Sequence, residues 1–266
     1  MSGRFKSHGK PFIILIVLSI LLLASVPAVH AASQPLVVVE VFKQDRVQLD
    51  VGQITHVTRT LTIENDINYS IVPGIITLGL QKQSPDMIGP IPIPFTNNVR
   101  PLNVTNVTAT MADGTPITDI SVSVINDSTV IRYGAWVPID PGQNITVILQ
   151  YDSPDIVNSG LLFSNVEYPF TSSSIPVEDA VVEANVNGGH VTYASQKPLK
   201  SGSTYIWDQP QLGMGSWSVS FEYSALPLPL MPISGSVLLW GLIILICLVW
   251  IAWTYTRPRK GQDKPR

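Results

Sequence analysis

A single cysteine, Cys247, in a chain of 266 residues excludes any intramolecular disulfide. Small exported domains often lean on disulfides, so a domain here must hold together by core packing, which nearly 200 residues make feasible. The absence fits a prokaryotic exported protein, archaeal ones included. Histidine is scarce too. Beyond residue 31 only His56 and His190 occur, too few for the usual zinc sets unless carboxylates complete them. Neither a G-x-S-x-G elbow nor an H-E-x-x-H motif is present, so the common hydrolase and zinc-protease signatures are missing. The acids form no D-x-D-x-D-G calcium loop. Asp152 with Asp155, and Glu178 with Asp179, are pairs of the kind that solvated loops carry.

Positive charge is short in the middle of the chain. Between Ala32 and Leu228 there are 8 Lys/Arg against 18 Asp/Glu, a net charge of −10. That balance argues against a nucleic-acid partner, because backbone binding needs a concentrated positive surface. The basic residues gather at the ends instead: Arg4, Lys6 and Lys10 at the start, Arg257, Arg259, Lys260, Lys264 and Arg266 at the finish.

Each basic end adjoins an apolar run. Residues 1–31 combine a basic start, the uncharged run Phe12–Ser25, and small residues at Val29-His30-Ala31. This is the layout of a secretory signal peptide cleaved after Ala31, with an uncleaved signal anchor as the alternative. Residues 233–255 carry no charge. At about 1.5 Å per residue they span roughly 34 Å, enough to cross a bilayer core with some tilt. Trp240 lies toward one end and Trp250, Trp253 and Tyr255 toward the other, where aromatic rings favour the headgroup layer. The basic tail 256–266 follows, and the positive-inside bias places it in the cytoplasm. Cys247 falls within the span and reads as a packing or lipid-facing residue. The sequence thus predicts a single-pass protein of the cell membrane, embedded in lipid through 233–255, with an extracytoplasmic ectodomain and a cytoplasmic C-terminus.

Between these ends helical periodicity is nearly missing and alternation is common. Leu36–Phe42, Thr55–Ile63, Ile117–Val124, Thr129–Tyr133 and Ile145–Tyr151 are rich in Val, Ile and Thr. So are Val177–Val186, His190–Ser195, Thr204–Trp207 and Trp217–Tyr223 later in the chain. Such runs, separated by Gly, Pro, Asn and Asp, read as short strands. Asp113-Gly114, Asn126-Asp127, Asp140-Pro141-Gly142 and Asn187-Gly188-Gly189 read as turns, and Gly213–Gly215 as a turn before the last strand. The fold class is all-β: one or two antiparallel, Ig-like β-sandwich modules plus the C-terminal transmembrane helix. Two modules are expected, 32–154 and 155–225, with one continuous sandwich as the alternative. Residues 226–232 (LPLPLMP) read as a stiff membrane-proximal spacer of some 22 Å at about 3.1 Å per residue.

Two features bear on partners. Asn-x-Ser/Thr sequons stand at Asn68, Asn103, Asn106, Asn126 and Asn144, all in the first module, and mark glycosylation candidates. The proline-rich stretch Ser84–Pro101 contains Ile91, Ile93 and Phe95 between prolines. Polyproline geometry suits either a cover for the core or an apolar strip for a protein partner.

Two segments, Arg46–Leu49 leading to VTRTLTIEN at Val57–Asn65, and VPIDPGQNITVILQY at Val137–Tyr151, resemble the opening strands and the proline-glycine turn of the ribophorin I type of ectodomain. That family is a non-catalytic subunit of oligosaccharyltransferase. The resemblance implies a β-sandwich ectodomain without catalytic residues; this chain is much shorter, and its second module matches no pattern of the family. The reading as a whole is a non-enzymatic surface adhesion or scaffold module, or a non-catalytic subunit of a membrane complex, with no cofactor, catalytic residue or metal site. The rival reading is a membrane-tethered hydrolase or a metal-dependent sensor working through His56 or His190.

Overall fold

The computed structural model describes residues 40–84, 87–88, 91–92, 98–160, 162–170, 175–201 and 203–256. The expected signal peptide, Ile93, Phe95 and the basic tail lie outside the described residues. In chain order the strands are β1 (Glu40–Val51), β2 (Thr55–Asn65), β3 (Gly74–Ser84), β4 (Met87–Ile88), β5 (Ile91–Pro92) and β6 (Asn98–Pro101). They continue as β7 (Thr105–Met111), β8 (Ile120–Ile125), β9 (Ser128–Ala135), β10 (Asn144–Ser153), β11 (Val157–Asn158) and β12 (Ser164–Phe170). The last are β13 (Val177–Val186), β14 (His190–Ala194), β15 (Leu199–Ser201), β16 (Thr204–Gly213) and β17 (Trp217–Ser224), before the helix α1 (Gly235–Thr256).

One layer is a seven-stranded sheet in the order β15-β16-β13-β1-β2-β10-β7. Two four-stranded sheets, β6-β3-β9-β8 and β11-β12-β17-β14, supply the other strands of the sandwich, apart from the short β4–β5 ladder. The division expected at 154/155 therefore does not separate two sheets. Residues 40–154 contribute four strands to the large sheet and the whole of β6-β3-β9-β8. Residues 155–225 contribute three strands and the whole of β11-β12-β17-β14. The halves join where β1 runs parallel to β13, from Phe42↔Val177 to Val51↔Val186. A parallel neighbour needs a long crossover, and everything from β2 to β12 forms it. A single cluster of buried side chains, including Leu49, Leu61, Leu78, Tyr133, Tyr168, Val182 and Phe221, draws on all three sheets.

Local chemistry accounts for the strands. In β2 the buried positions alternate strictly, so Val57, Arg59, Leu61 and Ile63 face inward. β8 and β9 are joined by the two-residue turn Asn126-Asp127, with φ of 45° and 59° at its two residues. Both angles are positive, as a primed hairpin turn requires. β3 escaped the sequence reading because Pro73, Gly74 and Gly79 break its apolar run, yet Ile76, Leu78 and Leu80 alternate into the core. β12 escaped it through Pro169, which lies beyond the two residues that pair with β11. β7, dense in sequon residues, is also absent from the strands that the sequence predicts.

At the centre of the sandwich sits a buried ion pair. Arg59 on β2 and Asp45 on β1 are both fully buried. Arg59 Nε donates to Asp45 Oδ1 at 2.8 Å, and Nη2 donates to Oδ2 at 2.5 Å. The guanidinium lies over Phe170 of β12, 4.7 Å from the ring centroid. Beside it the Tyr151 and Tyr168 hydroxyls are 3.1 Å apart, and burial raises both phenols above their ordinary range. Burial also pushes the Asp45 carboxyl upward, against the pull of Arg59 in the other direction.

Candidate membrane-proximal junction

α1 begins at Gly235, and the segment Gly235–Thr254 is long and apolar enough to cross a membrane, with a mean hydropathy of 2.6. A helix N-terminus leaves its first amides without intrahelical acceptors, and the first turn of α1 carries no acid. The acceptors come from the sandwich instead. Glu222 on β17 is only 6% exposed. Its Oε2 accepts from the Gly235 amide at 2.7 Å and from the Ser236 amide at 3.4 Å. Its Oε1 accepts from the Ser234 hydroxyl at 2.6 Å, and Ser234 Oγ in turn accepts from the Val237 amide at 3.3 Å. The next amide, Leu238, already donates to the Ser234 carbonyl within the helix. Ser234 is thus an N-cap, and Glu222 places negative charge at the positive end of the helix dipole.

Apolar contact and the preceding segment complete the junction. Gly235 is buried, and a Cβ there would come within 2.5 Å of the Phe163 ring. Only glycine permits this approach. Leu226–Pro232, expected to be a stiff free spacer, is tied to the sandwich. Leu226 N donates to Ser224 Oγ, Leu228 N to the Leu226 carbonyl, and Met231 N to the Thr192 carbonyl of β14 at 2.6 Å. Ser224 Oγ itself donates to the Leu162 carbonyl at 2.8 Å. The stretch is thus held to the sandwich at its two ends, through Leu226 on Ser224 and Met231 on Thr192, while Leu228 bonds within the stretch itself.

Sequence reasoning missed Glu222 for a physical reason. In WSVSFEY the inward phase is Trp217, Val219 and Phe221, so alternation assigns Glu222 to solvent; the end of β17 buries it instead. The available signal was indirect: a Ser-capped apolar helix with no acid in its first turn needs an acceptor from elsewhere.

The candidates taken from the sequence scatter over the molecule. Asn68, Asn103, Asn106, Asn126 and Asn144 are all exposed. Asn106, at φ 53°, donates its side-chain amide to Asp152 Oδ2 at 2.7 Å. The other oxygen of Asp152 meets Nδ1 of His56. Asp155 accepts from the Asn103 amide, while Glu178 pairs with Lys43 and Asp179 accepts from Gln44. His190 opens β14, in a different sheet from His56. Among the described residues no three His, Cys, Asp or Glu side chains form a group that could hold a metal ion. Ile91 lies in the short ladder Ile88↔Ile91, Met87↔Pro92.

The architecture is thus an all-β sandwich carrying one helix suited to crossing a membrane. The chain belongs to the same family as the uncharacterized protein MJ1395 of Methanocaldococcus jannaschii, with 33% identity over 150 residues, 54% of this chain and 99% of that protein. No family model matches the chain. Among solved structures, a Legionella pneumophila protein with a suggested nutrient-binding role aligns at a TM-score of 0.46 and 11% identity, over 70% of this chain and 67% of that one. An M1 zinc metallopeptidase of Deinococcus radiodurans aligns at 0.33 and 10% identity, over 70% and 42%. At these scores neither likeness bears on what this chain does.

Proposed function

We propose that this chain is a non-enzymatic, single-pass membrane protein whose extracytoplasmic sandwich is a scaffold, held at a set height and orientation for a protein partner. The observation that carries the proposal is the junction. Glu222, Ser234, the Phe163–Gly235 contact and the Met231–Thr192 bond join the sandwich to the membrane helix without a flexible link. A scaffold or complex subunit uses such a joint, since it fixes where a binding surface stands above the bilayer. The cluster Arg257, Arg259 and Lys260 after the span supports a cytoplasmic C-terminus, and the layout of residues 1–31 supports export. Five exposed sequon asparagines support a glycoprotein in a host that glycosylates.

Of the two forms of this reading, the complex subunit is the one that the ribophorin I resemblance implies. The segments carrying that resemblance are neighbours in space: β2 and β10 pair from Val57↔Tyr151 to Glu64↔Asn144. The experiment is recovery of the detergent-solubilised chain with its partners from its own membrane. Stoichiometric co-purification of a membrane complex is expected, unchanged when His56 and His190 are both replaced by Ala. A chain recovered alone, with a hydrolytic or metal-dependent activity that the double replacement abolishes, would reverse the proposal.

A further inference from the structure

Beside the junction lies a cleft of about 340 Å³ whose lining includes His190 of β14, Lys197 and Lys200 of the β14–β15 segment, Tyr205 of β16, and Leu228 and Leu230. Lys200 Nζ sits 5.3 Å from the centroid of the Tyr205 ring. Among the described residues Lys43, Arg46 and Arg59 each have a carboxylate within ion-pair distance, while Lys82, Arg100, Arg132, Lys197 and Lys200 have none; of these five, Lys197 and Lys200 line one cleft. Exposed apolar side chains go with these two cations: Leu199, 65% exposed, lies between them in the chain, and Leu230, 45% exposed, lines the same cleft. Two cations thus share one cleft with exposed leucine in a region whose net charge is −10.

The position of the cleft explains the combination. Leu230 and Gly235 are five residue steps apart, at most roughly 18 Å of chain at full extension. The 22 residues of α1 span about 33 Å, slightly more than a hydrocarbon core, so its first turn reaches the headgroup layer. The Met231–Thr192 bond keeps the cleft beside that layer. Elsewhere the acidic sandwich is repelled by an anionic leaflet; here lysines can reach phosphate while their stems and the leucines meet acyl and glycerol carbons.

We propose that this cleft binds the phosphate headgroup of an anionic lipid in the leaflet at the N-terminal end of α1. Lys197 and Lys200 take the phosphate, and Leu228 and Leu230 line the side facing the glycerol. The proposal rests on the membrane-anchored reading above.

The test uses the full chain with Arg257, Arg259, Lys260, Lys264 and Arg266 changed to Gln, so that the tail holds no lipid. Native mass spectrometry is run from detergent containing equal amounts of phosphatidylglycerol and phosphatidylcholine. The expected result is one phosphatidylglycerol retained per chain, with the preference falling about five-fold for each lysine removed, and about twenty-five-fold in K197Q/K200Q. L230S, which keeps both charges, should retain the preference for phosphatidylglycerol but hold the lipid less long. Equal retention of the two lipids, or a preference unchanged in K197Q/K200Q, would overturn the proposal. Millimolar glycerol phosphate protecting residues 197–201 from hydrogen exchange without lipid would overturn it in favour of a soluble phosphate ligand. Anchoring is read separately: parent and variant should both stay in alkali-washed membranes, and release of both would refute the anchored reading itself.

Discussion

Replacing Glu222 by alanine should unlock the sandwich from its C-terminal helix without unfolding either. The substitution strips acceptors from the Ser234 hydroxyl and the Gly235 amide, whose bonds are 2.6 and 2.7 Å long, and from the Ser236 amide at 3.4 Å. Hydrogen bonds to a charged group contribute about 1.5–3 kcal/mol each. Counting only the two short ones gives about 3–6 kcal/mol, and loss of the charge from the helix dipole adds about 0.3–1 kcal/mol. At a factor of ten for each 1.4 kcal/mol, the docked state should lose about two to five orders of magnitude in population relative to the undocked one. Hydrogen exchange of the full chain in lipid nanodiscs reads this directly. Amides of Gly235 and Ser236 should exchange faster by about that factor, while the β2 and β13 amides keep their protection. Glu222→Gln keeps an acceptor oxygen but loses the charge, so it should fall between, nearer the parent. Unchanged exchange at 235–236 in E222A would show that Glu222 does not hold the helix.

Three further outcomes follow from the same geometry. Gly235→Ala should loosen the same amides by driving a Cβ into the Phe163 ring, and Phe163→Ala in the same chain should restore part of their protection; absence of rescue would refute the contact. Arg59→Met alone, leaving Asp45 buried and unpaired, should cost about 3–5 kcal/mol in denaturant unfolding, whereas D45L/R59M should recover most of that loss; the buried Trp207 and Trp217 report the transition, and a double variant as unstable as the single would refute the account. In a glycosylating host, peptide mass spectrometry should find Asn103 occupied well above Asn106, whose amide nitrogen is engaged by Asp152; equal occupancy would count against that bond.

The strands that sequence reasoning recovered are those whose alternation is uninterrupted. β13 spans Val177–Val186, the range read from its Val and Ala spacing, and the Asn126-Asp127 hairpin followed from two residues that tolerate positive φ. β3 and β12 were hidden by Gly79 and Pro169, residues whose tolerance depends on neighbours that the local sequence does not reveal. Gly79 is admitted by the close Ser128 hydroxyl, and Pro169 by the shortness of β11. Joining both halves through one parallel strand pair was not legible, because β1 and β13 lie more than a hundred residues apart. Arg59 was legible in principle, since VTRTLTI puts it in phase with Val57, Leu61 and Ile63. The junction was the least legible part. Glu222 is out of phase with its own strand, and the need that buries it arises in another element.

Sheet order gives this molecule a direction that neither its composition nor its anchor supplies. The cleft, Glu222 and the bonds of residues 226–232 belong to β14, β16 and β17, with β15 and β16 at one end of the seven-stranded sheet. Asn103 and Asn106 lie beside and on β7, at the other end, and Asn144 opens its neighbour β10. At about 4.8 Å per strand, the two edges stand roughly 29 Å apart. The cleft on β15 and β16 and the sequons on and beside β7 and β10 therefore lie toward opposite ends of the seven-stranded sheet. Glycans at Asn103 or Asn144 would then stand at the end of the sheet away from the cleft. Under the proposed scaffold role, the surfaces between the two ends are those where a rigid joint has the most effect on which neighbours can reach them.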